Sequence, residues 1–134
     1  KTIHIVYEIP DLDSIIPAHK YSITPKGTTL KISDMSERQT NNTKNNFVCS
    51  MAFHHALETL KAYPFFEQIV FEAKYTGIET STGKDKDITV LLIHIETEKM
   101  LNELNLDKIP EIEDAIINFD YQFRYLNNLL ILLK

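Results

Sequence analysis

The sequence has a single cysteine, three glycines and no tryptophan in 134 residues. One cysteine, Cys49, excludes an internal disulfide and favours a reducing, intracellular location, in particular the cytoplasm. Three glycines are too few for the loops that cradle phosphates in P-loop and Rossmann proteins, so we expect no nucleotide site and no cofactor. The Cys-x-x-Cys and His-Glu-x-x-His patterns of metal proteins are also missing from the sequence.

Clustered positive charge is missing as well. Only Arg38 and Arg124 are arginines among fourteen basic residues, the lysines are dispersed, and the net charge is −5. Binding a phosphate backbone needs clustered cations, so we expect no direct contact with nucleic acid. The longest aliphatic run, residues 129–133, is far shorter than the roughly 20 residues that span a bilayer. We therefore expect no segment that spans a membrane.

The remaining composition is that of an ordinary folded protein. Apolar residues make up 43% and charged residues 25% of the chain, and this length suits one hydrophobic core. We therefore expect a single domain over residues 1–134. Because Lys1 rather than methionine opens the chain, we expect a processed chain, an excised domain or one domain of a longer protein.

Period-two alternation predicts several strands. In TIHIVYEIP, one face carries Ile3, Ile5, Tyr7 and Ile9. YSITPKGTTLKIS predicts a hairpin with its turn at residues 25–27. QIVFEAKYTGIE and DITVLLIHIE flank a polar loop and predict an antiparallel hairpin. We expect a mainly antiparallel sheet of about five strands.

The rest of the chain predicts helices separated by a loop. Residues 34–46 have almost no apolar content and predict a mobile polar loop. Asn46 would then cap a mid-chain helix over residues 47–62, and Thr97 would cap a short helix. The apolar stripe of the mid-chain helix is Cys49, Phe53, Ala56, Leu57, Leu60 and Tyr63. From Pro110 onward, apolar residues at alternating intervals of four and three predict a long C-terminal amphipathic helix. The expected class is α+β, with helices packed on the sheet.

Glu72-Ala73-Lys74 resembles the E-x-K motif of nucleases of the restriction-endonuclease-like superfamily. Side chains two apart on a strand share a face, and the resemblance implies that these two hold a divalent cation and an attacking water. The family also has a metal-binding aspartate on a neighbouring element, whereas residues 35–84 contain no aspartate. His94 is the candidate general base for the same site. The alternative, which we favour, is an ordinary ion pair on a half-exposed strand.

Three residues of the mid-chain helix, His54, His55 and Glu58, are the candidate metal ligands. Spacings of three and four residues bring side chains together on a helix, but only two of these three could meet at one ion. A metal site needs three or four ligands. We therefore favour a solvated helix face and expect no bound metal.

The function that we favour is based on the predicted C-terminal helix. In YLNNLLILLK, leucines would cover nearly the whole circumference of a helix, so the face turned away from the sheet needs another cover. We predict a non-enzymatic adaptor or assembly domain that binds a protein partner or forms a homodimer. The alternative is a metal-dependent hydrolase that uses Glu72 and Lys74. The predicted interface residues are Phe119, Phe123, Leu126, Leu129, Leu130, Leu132 and Leu133.

Overall fold

The computed structural model describes residues 1–10, 12, 19–23, 27, 30–34, 36–79, 81–124 and 131–133. The strands are β1 (Thr2–Glu8), β2 (His19–Ile23), β3 (Leu30–Asp34), β4 (Gln68–Glu79), β5 (Asp85–Glu96), β6 (Asp120–Phe123) and β7 (Ile131–Leu133). The helices are α1 (Glu37–Ala62), α2 (Thr97–Glu103) and two 3₁₀ helices, Leu106–Lys108 and Ile112–Asn118. The α+β class is confirmed.

The main sheet is mixed, so the prediction of a mainly antiparallel sheet is wrong. β1 pairs in parallel with β4, β4 pairs with β5 antiparallel, and β6 continues the sheet beyond β5. β7 pairs with β4 at Gly77–Glu79, beyond the stretch that pairs with β1. Alternation shows which residues share a face, but it does not show the direction of the neighbouring strand. Here a long connection that includes α1 joins β1 to β4, and such a crossover allows β4 to run in the same direction as β1.

Both predicted hairpins are confirmed. β2 and β3 pair antiparallel as a separate two-stranded sheet, and Gly27 lies between them with a φ of 68°. β4 and β5 pair antiparallel, with Gly83 between them at a φ of 69°. Glycine has no Cβ and therefore adopts this left-handed conformation at little cost.

The predicted polar loop over residues 34–46 is wrong, because α1 begins at Glu37. Ser36 is the N-cap: its Oγ accepts from the Gln39 amide at 3.1 Å, and its own amide donates to Gln39 Oε1 at 3.1 Å. This reciprocal capping box satisfies two backbone donors and starts the helix among polar residues. Asn46 is therefore inside the helix and is not its cap. Because a helix extends easily once it has started, the buried later turns of α1 support the polar first turns.

Small side chains on α1 let the helix lie close to the sheet. Cys49, Ala52 and Ala56 are fully buried in one core with Phe53. The opposing side chains of β4 and β5 are Ile69, Phe71, Leu91, Ile93 and Ile95. The predicted stripe is thus confirmed for its first three members, whereas Leu57 and Leu60 are half-buried and Tyr63 is exposed.

The predicted long C-terminal helix is wrong. Its residues form the 3₁₀ helix Ile112–Asn118, strand β6 and strand β7, and residues 125–130 lie outside the described ranges. Phe119, Tyr121 and Phe123 also alternate with period two, and aromatic residues favour strands. Residues 91–94 of β5 pair with residues 120–123, and this tertiary pairing favours a strand over the helix that the spacing predicts.

Thr97 is the first residue of α2 rather than its cap. Its Oγ1 donates to the carbonyl oxygens of Phe66 (2.9 Å) and Glu67 (3.0 Å), and these hydrogen bonds connect the end of β5 to the start of β4.

Among the described residues, no helix is both long enough and apolar enough to cross a membrane.

Candidate functional site

The Glu72 carboxylate is the centre of a polar cluster on the sheet face turned away from α1. The cluster consists of His4, Glu72, Lys74 and Thr89. His4 donates from Nε2 to Glu72 Oε2 at 3.2 Å, since an ionised carboxylate can only accept. Thr89 Oγ1 donates to Glu72 Oε1 at 3.0 Å, and Lys74 Nζ lies 3.6 Å from the same oxygen. Three strands therefore supply partners to one carboxylate.

Strand pairing and one irregularity build this cluster. In the parallel register, Val6 lies opposite Glu72, which places His4 one step diagonal to Glu72 on the same face. Between Ala73 and Lys74 the β4–β5 register shifts, so that Lys74 lies opposite Thr89 and Val90 has no cross-strand partner on β4. Such a bulge redirects side chains. Here it turns Thr89 towards Glu72 while Val90 stays buried in the core.

The environment of Glu72 keeps its carboxylate charged. The side chain is only 17% exposed, and this burial alone would raise the pKa of Glu72. The hydrogen bond from Thr89 and the interactions with Lys74 and His4 act the other way and together lower the pKa below its usual range. Glu72 can therefore accept hydrogen bonds or bind a cation near neutral pH, but it is not a proton donor there.

The structure brings together only part of the predicted catalytic set. Glu72 and Lys74 lie on one face and form an ion pair, with 3.6 Å between Nζ and Oε1, which is the arrangement that the favoured alternative to E-x-K predicts. His94 lies opposite Val70, and the histidine that contacts Glu72 is His4 instead. His4 alternates with Ile3 and Ile5 and so lies on the opposite face of the first strand, but only the parallel pairing of that strand with β4 reveals the contact.

The predicted metal ligands of α1 turn to different neighbours. The His55 ring packs on Phe71 and Tyr7, with centroid distances of 5.9 and 5.3 Å. His54 is exposed, and Glu58 forms an ion pair with Lys61 at 3.2 Å. Across the described ranges, no three or more His, Cys, Asp or Glu side chains are grouped so as to hold a metal ion.

The predicted interface residues lie in several environments. Phe119 is 9% exposed, and its ring lies 6.0 Å from that of Phe53 on α1. Phe123 is half-buried against the same core. Phe119 is therefore covered by the chain itself, whereas Phe123 is covered only in part. Leu132 and Leu133 belong to β7, whereas Leu126, Leu129 and Leu130 fall outside the described residues.

An apolar groove of about 350 Å³ separates the end of α1 from α2. The groove residues are Leu57, Leu60, Lys61, Pro64 and Leu101. Leu101 is 57% exposed on the α2 side. Two further exposed aromatic residues, Tyr63 and Phe65, flank Pro64 in the chain, with ring centroids 6.0 Å apart. Sequence reasoning placed Leu57 and Leu60 on the buried stripe of α1 and missed this groove.

A larger depression of about 450 Å³ lies beside β5 and β6. It is lined by Lys86, Asp87, Ile88, Thr89, Val90, Gln122, Phe123 and Arg124. Charges of both signs share this lining, so it has no clear preference for an anion or a cation. Because its polar groups do not converge on one point as those around Glu72 do, it offers weaker chemistry than the polar cluster.

No family model matches this chain, and no match was found among curated proteins or among solved structures.

Proposed function

We propose that this chain is a non-enzymatic interaction domain that receives apolar side chains of a protein partner in the groove between α1 and α2. The observation that carries the proposal is the exposure of Leu101, 57%, at the wall of a groove whose other sides are mostly apolar. An apolar surface left in water costs free energy. An apolar side chain of another protein that entered the groove would remove part of this surface from water.

The shape of the groove favours a protein over an enclosed small ligand. Small-molecule sites bury most of their ligand and place a few convergent polar groups around it. Here the only charged lining residue is Lys61, which already pairs with Glu58 at 3.2 Å. An open apolar groove suits an amphipathic helix or an anchor side chain that another protein presents.

The aromatic residues beside the groove support the same function. Tyr63 and Phe65 are 55% and 54% exposed, and large aromatic side chains are enriched at protein interfaces. Lys1 Nζ lies 5.0 Å from the Phe65 ring centroid, which adds a cationic group beside the exposed ring. The partner is intracellular in this proposal, because the one cysteine, Cys49, is a buried free thiol.

A random peptide library displayed on phage tests the proposal and does not require a named partner. Peptides selected on the wild-type protein are measured by fluorescence anisotropy against Leu101→Glu and Asn102→Glu. Asn102 is the matched control, because it is exposed on the same helix and does not line the groove. We expect Leu101→Glu to weaken binding at least about tenfold, since it places a charge in an apolar site, and Asn102→Glu to change it little.

Two results would contradict the proposal. One is a set of peptides that binds both variants as tightly as the wild type, which would place recognition on another surface. The other is a selection that yields no peptide above background. Because Leu101 is exposed, Leu101→Glu is expected to leave the fold intact, and an unchanged circular dichroism spectrum and melting temperature verify this.

A second candidate function is metal-dependent hydrolysis at the polar cluster. The observation in its favour is that Glu72 is ionised and lies beside Lys74 as in E-x-K, with His4 as a second side chain that could bind a cation. If the cluster binds a divalent cation, Mn²⁺ raises the melting temperature of the wild type, and Glu72→Ala with Lys74→Ala abolishes the shift. Glu58→Ala, on the exposed side of α1, serves as the control. An equal shift in all the variants, or no shift, would eliminate this function.

A further inference from the structure

β1 has a free edge. It pairs with β4 along one side, and within the described ranges no strand lies on its other side. The carbonyl of Lys1 accepts from the amides of Glu67 (2.9 Å) and Gln68 (3.3 Å), and the amide of Ile9 donates to the Lys74 carbonyl at 2.8 Å. The odd-numbered residues therefore direct their backbone groups to β4.

The even-numbered residues direct their backbone groups the opposite way, because these groups alternate along a strand. The residues with amide and carbonyl groups at the free edge are Thr2, His4, Val6 and Glu8. The same four side chains lie on the face turned away from α1 and are exposed. Among the described residues, this edge thus presents a regular row of donors and acceptors that no strand pairs with, beside accessible side chains.

Within Thr2–Glu8, this edge has few of the features that usually prevent strands from associating. Proteins guard exposed edges with lysine, proline or a bulge. β1 itself contains no lysine and no proline, which occur only beyond its ends at Lys1 and Pro10, and its register with β4 is regular from Thr2 to Glu8. Val6, near the centre of the strand, is 53% exposed. An unguarded edge with a central apolar side chain favours the addition of another strand.

The strand is complementary to itself in the antiparallel direction. If Val6 lies opposite Val6 of a second copy, His4 lies opposite Glu8 of that copy, and Glu8 lies opposite its His4. A basic side chain then faces an acidic one at two symmetric positions, and an exposed valine covers its equivalent. Opposite charges and apolar pairs placed directly across two strands stabilise their pairing.

We propose that β1 pairs antiparallel with β1 of a second copy of this chain, about a two-fold axis at Val6. The contact is isologous, since each copy contributes the same strand, and it joins the two main sheets into one. A single strand pair is small compared with the roughly 800 Å² per partner of a stable interface. The dimer therefore dissociates on dilution. This surface is separate from the apolar groove, so the inference does not depend on the proposed function.

A symmetric disulfide tests the axis directly. Val6→Cys places two thiols on residues that form a hydrogen-bonded antiparallel pair, about 5.5 Å apart at Cα, which is within the usual reach of a disulfide. Cys49 is the one native cysteine and is buried, so it contributes little background. Gln122→Cys is the matched control, because it is exposed on the other edge strand, β6. We expect at least about tenfold more covalent dimer from Val6→Cys under mild oxidation.

Light scattering over a dilution series provides the second measurement. The wild type should approach twice 15.5 kDa at high concentration and 15.5 kDa on dilution. Val6→Lys, which opposes two like charges at the axis, should stay at the lower mass, and Gln122→Lys should behave as the wild type does. Unchanged circular dichroism spectra verify that both variants fold.

Three results would overturn the inference. The first is a wild type that stays monomeric at the highest concentration, and the second is equal cross-linking of the two cysteine variants. The third is a dimer that persists in Val6→Lys but disappears in Leu101→Glu. That last result would show that two copies meet at the apolar groove, which refutes the β1 contact while leaving the proposed function standing.

Discussion

His4 on β1 and Glu72 on β4 are joined across the parallel strand pair, with 3.2 Å between Nε2 and Oε2. The contact connects the start of the chain to its middle, and the crossover through α1 separates the two residues in sequence. Burial raises the pKa of Glu72, and the contact with His4 is one of the interactions that together lower it below its usual range. The consequences for stability can be measured.

Glu72 should stabilise the fold at neutral pH but not in acid. Its pKa in the folded state is lower than in the unfolded chain, so the unfolded state binds more protons and stability rises with pH. This contribution is present above the unfolded pKa and is lost as the pH falls through the folded pKa. We expect Glu72→Gln to reduce the free energy of unfolding by about 1 kcal/mol at pH 7. Urea unfolding at a series of pH values should show the difference shrinking towards pH 3, and a constant difference would contradict the prediction.

Glu113 should have the opposite effect. Burial, followed by the charges of Asp114 and Glu111, raises the pKa of Glu113. A raised folded-state pKa stabilises the protein below the unfolded pKa, and the contribution is lost as the pH rises through the folded pKa. Glu113→Gln removes a charge that is unfavourable at neutral pH, so we expect a higher urea midpoint at pH 7. At pH 3, where Glu113 is protonated in both states, the midpoints of the variant and the wild type should converge. A lower midpoint at pH 7 would contradict this prediction.

Asn46 should hold the second 3₁₀ helix against α1. Its Nδ2 donates to Glu111 Oε2 at 2.6 Å, and its Oδ1 accepts from the Glu113 amide at 3.0 Å. We expect Asn46→Ala to reduce the free energy of unfolding by about 1–3 kcal/mol and to speed hydrogen exchange of the Glu113 amide. Asn42→Ala, at an exposed position of the same helix, is the control. Equal effects of the two substitutions would refute the role of Asn46.

Ser36 should determine where α1 begins. Removing its hydroxyl leaves the Gln39 amide without its acceptor, which costs about 1 kcal/mol at an N-cap. We expect Ser36→Ala to speed amide exchange in the first turn of α1, whereas Ser36→Thr, which keeps the acceptor, should preserve much of the protection. Unchanged exchange in Ser36→Ala would show that the polar first turns do not depend on the cap.

Cys49 should react with thiol reagents only when the protein unfolds. The thiol is buried, and burial together with the negative charge of Glu113 raises its pKa, so little thiolate forms. We expect the rate of reaction with Ellman's reagent to follow urea unfolding, with almost no reaction in native buffer. Fast reaction in native buffer would contradict the burial of Cys49 under α1.

The spacing of apolar residues along the chain predicted those elements in which either the strand period of two or the helical period of 3.6 is clear. Alternation identified β1 and the β4–β5 hairpin, and helical spacing identified the buried face of α1. The start of α1 was also present in the sequence, since Ser36 and Gln39 have the spacing of a capping box. The residues around this capping box are almost all polar, and such a composition is typical of loops. At the C-terminus, helical and strand periods overlapped, and pairing with β5 selected the strand.

The polar cluster could be predicted only in part, for a physical reason. Glu72 and Lys74 share a face because they are two apart on one strand. His4 joins them through the order and direction of the strands, and Thr89 joins them through a one-residue bulge. Both are tertiary features, so neither follows from the spacing of residues along the chain. The groove likewise depends on how α2 lies beside α1.

The most direct test of the central claim maps the surface that binds a selected peptide. Backbone amide chemical shifts of the ¹⁵N-labelled protein are followed during titration with a peptide from the display selection. The groove predicts shifts concentrated at Leu57, Leu60, Lys61 and Leu101, and much smaller shifts in Leu101→Glu at the same peptide concentration, because the variant binds more weakly. Shifts concentrated instead around His4 and Glu72, with the groove amides unmoved, would contradict the claim that the groove is the interaction surface.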